Sequence, residues 1–260
     1  MSWDPDQYNL YADERRQPLL DLLAAVHFED DLDVARILDL GCGSGQAIPH
    51  LLKRFECGSI LALDQSAEML AKIPANYLKL CVHAKQADIA TWQPRRPVDF
   101  IFSNAALQWL GDHEILFPKM MTWLVKGGVL AVQMPNNWQQ PSHTILHDLA
   151  SDGPWAATLK PHLRTAPVLQ IDEYQKLLKK KGVKVRVFEN VYNHQLEGDF
   201  AVAEWLKGTT LGVLLDVLPA DQAAEFWRLY CEGSAKAYPK GDDGKTLFPF
   251  HRIFVIAQKT

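Results

Sequence analysis

The sequence predicts an α/β protein built on a doubly wound, mostly parallel sheet of seven strands. Two observations lead to this prediction. Short apolar segments suited to buried strands alternate with segments of helical length over the first half of the chain. A glycine-rich turn, "ILDLGCGSGQ" at 37–46, directly follows the first such strand. Sheets of this class bind ligands beyond the carboxyl ends of their strands, so we expect the functional site at that edge.

The individual elements follow from apolar periodicity and from helix-terminating residues. The predicted strands are 34–40, 59–63, 79–87, 98–103, 128–134, 183–196 and 249–259. The helices predicted between the first five strands, together with one before them, are 10–26, 47–55, 66–73 and 113–125. Pro49 is tolerable because it falls in the first turn of its helix, whereas Pro118 predicts a break or kink near the start of its helix. Ser66 suits an N-cap position.

The second half of the chain departs from this alternation. Residues 138–180 contain scattered Trp, His and Pro and then a Lys-rich helix, and residues 200–238 have helical patterns. We therefore expect a single domain over 1–260, in which the segments at approximately 138–180 and 200–245 are insertions. These insertions are expected to form a helical cap over the strand ends.

Composition limits the possible partners and the compartment. The net charge of −4 leaves no basic footprint for nucleic acid. The cysteines at 42, 57, 81 and 231 form no closely spaced pair, which disfavours a disulfide framework or a zinc site. The chain begins without a signal-peptide pattern, and no apolar run reaches the length of about 18 residues that a membrane span needs. We expect a cytoplasmic monomer that binds no metal, no membrane and no nucleic acid.

The glycine-rich turn narrows the choice of ligand. Asp39 precedes Gly41, Gly43 and Gly45, whereas a dinucleotide-binding fingerprint would need its third glycine at Gln46. This disfavours an NAD-dependent oxidoreductase. The turn resembles that of the S-adenosylmethionine-dependent methyltransferases of class I. The resemblance implies a Rossmann-like sheet in which the turn wraps the methionine end of the cofactor.

Polar residues at the ends of successive strands support this resemblance. Asp64 ends the second strand, and a carboxylate there can accept both hydroxyls of a ribose. The resemblance implies that Asp88 lies near the adenine amine, with Ile89 beside the ring. Each aspartate taken alone also fits a helix cap or a turn. The predicted cofactor-binding residues are Asp39, Gly41, Gly43, Gly45, Asp64, Gln65, Asp88, Ile89, Asn104 and, from an N-terminal segment that could close over the cofactor, Tyr8 and Arg15.

Further motifs resemble the narrower family of trans-aconitate 2-methyltransferase. They are "WDPDQY" (3–8), "FSNAALQWLGDH" (102–113), "VQMPNNWQQPSH" (132–143), "EWLKGTTL" (204–211) and "FPFHRIFVIA" (248–257). This resemblance implies methylation of a carboxylate of a small polycarboxylic acid. Such a carboxylate has a pKa of about 4 and is already nucleophilic at neutral pH. We therefore expect no catalytic base, only residues that position the acceptor and exclude water.

Binding of the anionic acceptor requires cations or hydrogen-bond donors. The predicted substrate-binding residues are Trp109, Asn136, Trp138, His143, His251 and Arg252. Structural roles stay open for several of them. Arg252 could pair with a surface carboxylate, His143 could cap a helix, and the two tryptophans could pack in the core or a lid. This chain departs from the family at Gly212, where the family has an arginine. The departure removes one cationic side chain that could bind a triply charged acceptor.

Two other functions remain open at this stage. Malonyl-acyl-carrier-protein methyltransferase of biotin synthesis shares this architecture and also methylates a carboxylate. It would need a basic dock for its acidic carrier, and only scattered lysines at 176–184 and 236–245 are available. A regulatory protein that binds S-adenosylmethionine without turnover is the other alternative.

Overall fold

The computed structural model describes residues 12–28, 33–56, 58–79, 81–163 and 167–260. Its strands are β1 (Arg36–Leu40), β2 (Ser59–Asp64), β3 (Val82–Gln86), β4 (Val98–Asn104), β5 (Leu124–Pro135), β6 (Val183–Leu196) and β7 (Thr246–Lys259). They form one seven-stranded sheet in the order β3-β2-β1-β4-β5-β7-β6. The pairs from β3 to β5 are parallel, and β7 runs antiparallel to β5. The predicted doubly wound, mostly parallel sheet is confirmed.

The helices lie between the strands and, later in the chain, in the predicted insertions. They are α1 (Ala12–Ala25), α2 (Ile48–Arg54), α3 (Ala67–Ala71), α4 (Ala75–Leu78), α5 (His113–Thr122), α6 (Pro141–Ser151), α7 (Ala156–Leu159), α8 (Ile171–Leu178), α9 (Ala201–Lys207), α10 (Thr210–Asp216) and α11 (Ala220–Ala237). Short 3₁₀ turns occupy Leu107–Trp109 and Lys160–His162. Among these described helices, none is both long enough and apolar enough to span a membrane.

Several predicted boundaries differ from the structure. The helix α5 continues through Pro118, so of the predicted break or kink the break is wrong, and α5 ends at Thr122 rather than at 125, where β5 has already begun. The third strand begins at Val82 rather than at 79, because α4 extends to Leu78 and its C-cap residue Lys79 still has a helical backbone. The predicted helix starting at 200 is divided into α9 and α10. Ser66 caps α3, as predicted, and its hydroxyl accepts a hydrogen bond from the Met69 amide at 3.2 Å.

The described chain forms two compact units. The first, called the sheet unit, contains residues 16–135, 167–190 and 252–260. Its central strands are buried on both faces, as shown by full burial of Leu38, Phe100, Ile101 and Val129. Such burial explains why these strands have continuous apolar sequences rather than alternating ones.

The second, called the helical unit, contains, among the described residues, 12–15, 136–163 and 191–251. Helices α6 and α11 pack together in it, and the Tyr230 hydroxyl donates to the Ser142 carbonyl at 2.7 Å. The rings of Trp155 and Phe226 meet edge to face, with centroids 5.1 Å apart, in an apolar core of this unit. That these residues act as a cap within a single domain stays a prediction.

Candidate functional site

The glycine-rich turn after β1 has a backbone that requires glycine. Gly41, Gly43 and Gly45 have φ angles of 71°, 55° and 81°, in the left-handed region that favours glycine. A Cβ atom on Gly41 would lie 2.2 Å from the Cβ of Ala106, in the segment after β4. The turn therefore packs directly against that segment, at the carboxyl edge of the sheet.

The carboxylate of Asp64 holds this turn in place. Its Oδ2 accepts a hydrogen bond from the Gly43 amide and its Oδ1 one from the Ser66 amide, both at 2.9 Å. The amides of Gly41 and Cys42 also donate to the Leu63 carbonyl, at 2.8 and 2.9 Å. Each carboxylate oxygen has a second lone pair, so Asp64 retains acceptor capacity for a ligand's hydroxyls.

Asp39 is the most strongly perturbed acid of this site. It is 2% exposed, and its Oδ2 has no hydrogen-bond partner among the described residues. Burial, and next the nearby charge of Asp64, raises the pKa of Asp39 to about 7. An ionised carboxylate here needs a cationic partner, because an unpaired buried charge is costly.

Strand register brings further polar residues to the same face of the sheet. Paired residues on neighbouring strands point to the same face, and so do residues two positions apart on one strand. Asp39 pairs with Ala62 and with Phe102, which lie two positions before Asp64 and Asn104. Asn104 in turn pairs with Gln133, and Arg252 pairs with Pro135. A polar row therefore crosses one face of the sheet in the order Asp64, Asp39, Asn104, Gln133, Arg252.

Charge changes sign along this polar row. Two carboxylates occupy one end, neutral amides the middle, and a guanidinium the other end. Arg252 is 3% exposed, so the predicted alternative of a surface ion pair does not hold. Its Nη1 donates to Oε1 of Gln133 at 3.4 Å. Asn104 Oδ1, like Asp39 Oδ2, is buried without a partner among the described residues.

The remaining predicted cofactor residues are distributed around the same edge. Ile89 is buried, and its Cδ1 would lie 3.8 Å from a Cβ on Gly41. Asp88 is exposed, and its Oδ1 accepts from the Ala90 amide at 2.9 Å in a local turn. Gln65 is exposed, and its carbonyl accepts from Nε2 of Gln86 at 3.0 Å. Tyr8 and the side chain of Arg15 lie outside the described residues.

The helical unit contains a cavity of about 360 Å³. Two predicted substrate residues line it, Trp138 and His143, with ring centroids 5.7 Å apart. The other lining residues are Thr144, Leu146, His147, Asp148, His162, Leu163, Thr210 and Leu214. Burial lowers the pKa of His143 to about 4, and its Nδ1 lies 3.1 Å from Ser142 Oγ. His143 is therefore a neutral lining group at pH 7. His147 and His162 carry no local sequence signal that could have identified them.

Other predicted substrate residues lie elsewhere. Trp109, in the sheet unit, is 42% exposed. The backbone N–H of Asn136 donates to the His251 carbonyl at 2.9 Å. Neither residue lines the cavity of the helical unit. Its neighbour Asn137, which the sequence did not single out, fixes the same strand end. The Asn137 side chain donates to the His251 carbonyl at 3.1 Å and accepts from the His251 amide at 2.9 Å.

Gly212, which replaces the family arginine, occupies a position without room for a side chain. A Cβ atom there would lie 2.3 Å from the carbonyl oxygen of Lys207, at the end of α9. An arginine at 212 would therefore require a shift of the backbone where α9 meets α10. The local structure of this chain is adapted to glycine at this position.

Covalent and metal chemistry find no support in the described residues. No group of three His, Cys, Asp or Glu side chains there is arranged to hold a metal ion. Cys42 lies inside the turn, but burial, Asp39 and Asp64 all raise the pKa of its thiol. A thiol of this kind is a poor nucleophile. The polar row is suited to binding charged groups rather than to activating a nucleophile.

Sequence comparisons identify full-length relatives. A trans-aconitate 2-methyltransferase of Azoarcus sp. (strain BH72) is 38% identical over 98% of this chain and 98% of that protein. One from Methylobacterium nodulans is 40% identical over 99% of this chain and 98% of that protein. The family described as "Methyltransferase domain" matches residues 37–128, which contain the glycine-rich turn and Asp64.

Solved structures support the fold. A loganic acid methyltransferase solved with SAH superposes with a TM-score of 0.64 at 11% identity, covering 98% of this chain and 94% of that chain. The YcgJ protein from Bacillus subtilis superposes with a TM-score of 0.60 at 14% identity, covering 94% and 99%. At these identities the similarity shows the fold alone.

The raised pKa of Asp39 predicts a specific pH dependence of stability. The folded protein loses this proton at about pH 7, whereas an unfolded chain loses it near 3.8. Folding therefore takes up a proton between these values, and the free energy of unfolding falls as the pH rises through that window. We expect Asp39→Asn to stabilise the cofactor-free protein at pH 8, by up to about 4 kcal/mol. Urea unfolding at several pH values measures this.

Asp99→Asn is the matched control. Asp99 is also buried in the sheet unit, but its Oδ2 accepts from the Arg36 amide at 2.7 Å and its Oδ1 lies 3.5 Å from the Arg36 guanidinium. Its substitution should destabilise the protein. An Asp39→Asn gain that does not change between pH 4 and pH 8 would contradict the assigned protonation of Asp39.

Proposed function

The chain belongs to the trans-aconitate 2-methyltransferase family, and we propose that it esterifies a carboxylate of trans-aconitate or a closely related small acid with the methyl group of S-adenosylmethionine. The observation that carries this proposal is the polar row, with carboxylates at one end and a guanidinium at the other. Such a row suits a cationic cofactor beside an anionic acceptor.

The acidic end of the row suits the cofactor. We propose that Asp64 accepts hydrogen bonds from the ribose hydroxyls and that Asp39 and Asn104 receive the cationic methionine end. The unpartnered atoms Asp39 Oδ2 and Asn104 Oδ1 support this role, since both are buried acceptors. Gly41, Gly43 and Gly45 allow close approach to the turn. Gln65, Asp88, Ile89, Tyr8 and Arg15 are proposed as further contacts.

The basic end of the row suits the acceptor. We propose that Arg252 binds a carboxylate, since a buried guanidinium offers paired donors in a fixed geometry. Trp138 and His143 are proposed acceptor contacts because they line a cavity of about 360 Å³ in the helical unit, a size typical of small-molecule sites. Trp109, Asn136 and His251 stay predictions.

The chemistry requires positioning rather than acid–base catalysis. Bound S-adenosylmethionine supplies a methyl group on a sulfonium, with a neutral thioether as the leaving group. The chain's residues hold the acceptor, whose carboxylate is already ionised at neutral pH. They also exclude water and fix the line of approach. No residue of the polar row therefore needs to remove a proton.

The alternative acceptor, a malonyl carrier protein, is less well supported. Three of the lysines that could form a basic dock already pair with acidic side chains: Lys176 with Asp172 at 2.7 Å, Lys240 with Asp199 at 2.6 Å and Lys245 with Glu197 at 2.9 Å. We also propose a cytoplasmic monomer that binds neither nucleic acid nor membrane. In it, the segments 138–180 and 200–245 act as a cap.

A methyl-transfer assay tests the proposed function. The purified protein is given labelled S-adenosylmethionine with trans-aconitate, cis-aconitate, isocitrate, citrate or malonyl carrier protein in parallel. Label that mild base releases from trans-aconitate would establish carboxyl esterification. Label only on the carrier protein would move the chain to the alternative, and cofactor binding without any labelled product would refute the enzymatic proposal.

Substitution of Asp64 tests the cofactor site. We expect Asp64→Ala to raise the dissociation constant of S-adenosylhomocysteine about tenfold or more, because hydrogen bonds to a charged acceptor are lost. The variant also removes the acceptor for the Gly43 amide, so calorimetry must separate the two effects. The 2′-deoxy analogue of the ligand does so. A ribose contact predicts a smaller loss with this analogue, whereas an equal loss would reduce Asp64 to a support of the turn.

The pH dependence of the rate separates cofactor binding from chemistry. We expect kcat to stay flat between about pH 6.5 and 8.5, since the acceptor needs no deprotonation. The kcat/KM for the cofactor should rise with pH through about 7, because ionised Asp39 favours a cationic ligand. The rise should be absent in Asp39→Asn. A kcat step with a pKa near 7 in the wild type would instead indicate a general base.

A further inference from the structure

Gln133 is a polar residue in an otherwise apolar stretch of β5, and it is fully buried. Its Oε1 accepts from Arg252 Nη1 at 3.4 Å, which fixes the orientation of the amide. Its Nε2 has no hydrogen-bond partner among the described residues. A buried donor without a partner is unfavourable, so its presence in the sheet points to a ligand role.

The surroundings of this amide define the partner that it can take. The cationic guanidinium of Arg252 lies beside it on the polar row, at hydrogen-bond distance from the same amide. On the other side Asn104 presents an acceptor oxygen, which does not bond to Gln133. The complementary group is therefore an acceptor that carries negative charge. A carboxylate meets this requirement, with one oxygen for the amide and one for the guanidinium.

We propose that Gln133 and Arg252 together clamp a carboxylate of the acceptor acid that is not methylated. This inference rests on the proposed function. A carboxylate held by a guanidinium and an amide is stabilised in its ground state, which would weaken it as a nucleophile. The clamp therefore suits a spectator carboxylate and orients the reacting one by fixing the rest of the molecule.

Two substitutions of Gln133 test the clamp by steady-state kinetics. Gln133→Met keeps the length of the side chain but removes the donor, and it should raise the KM for trans-aconitate about tenfold. Gln133→Glu keeps an acceptor for Arg252 but presents negative charge to the ligand, so it should raise the KM about a hundredfold. The dissociation constant of S-adenosylhomocysteine should change less than about twofold in both, since the cofactor contacts are intact.

The matched control is Gln258→Met. Gln258 is also a buried glutamine of the sheet, but its Nε2 donates to the Gly127 carbonyl at 3.2 Å, and it pairs with Val129 at the opposite end of the β5–β7 ladder from Arg252. This variant should lose stability with an unchanged acceptor KM. An equal rise of KM in Gln258→Met and Gln133→Met would assign the effect to loss of packing and would overturn the clamp.

Acceptor analogues identify the clamped group. Mesaconate, itaconate and cis-glutaconate each lack a different carboxylate of trans-aconitate and keep the rest of its geometry. The clamp predicts that the affinity of one of them is insensitive to Gln133→Met, because the group that Gln133 contacts is already missing. Equal losses for all four acids, or a variant that weakens the cofactor instead, would refute the clamp.

Failure of the clamp is distinguishable from failure of the proposed function. Calorimetry with S-adenosylhomocysteine bound measures the affinity of each acid without turnover. Binding that depends on Gln133, but without methyl transfer, would support the clamp and refute the proposed reaction. Methyl transfer that is insensitive to Gln133→Met and Gln133→Glu would refute the clamp alone. An absence of both binding and transfer would refute both.

Discussion

The hydrogen-bond register of the central strands is the constraint on which the candidate site depends. Asp39, Asn104 and Gln133 share a face only because β1, β4 and β5 are paired at their observed positions. A shift of one residue in any of these pairs would turn a polar side chain to the opposite face. Full burial of the apolar residues on both faces makes such a shift costly, so core packing also fixes the geometry of the site.

Burial suits the polar row to binding a ligand, but in the free protein it costs stability, because polar atoms lose water without gaining a partner. Asp39 Oδ2, Asn104 Oδ1 and Gln133 Nε2 are all desolvated without partners among the described residues. Elsewhere in the same sheet, Asp99 is paired, with the Arg36 amide. Asp99 is thus satisfied by the protein itself, whereas these three atoms of the polar row are not, as expected where a ligand completes the pairing.

The parts of the candidate site that have a signal in a short stretch of sequence could be predicted before the structure. The glycine-rich turn requires positive φ angles, and Asp64 was identifiable because it ends a strand. Gln133 was not singled out, although a polar residue within "GVLAVQM" is a detectable signal. Its importance depends on pairing with Asn104, which no local pattern reveals. The cavity residues His147 and His162 likewise come together only through folding of the helical unit.

The proposed reaction needs no catalytic base, and the composition of the candidate site agrees with that proposal. An acceptor that must lose a proton would call for a nucleophile–base pair with matched pKa values. Here Asp39, the acid with the raised pKa, suits a cationic ligand, and Cys42 beside it is kept protonated. Methyl transfer from a cationic sulfonium to an ionised carboxylate instead requires the two reactants to be held side by side and in line. The roles proposed for the polar row meet this requirement, since its acidic end would hold the cationic cofactor and its basic end the anionic acceptor.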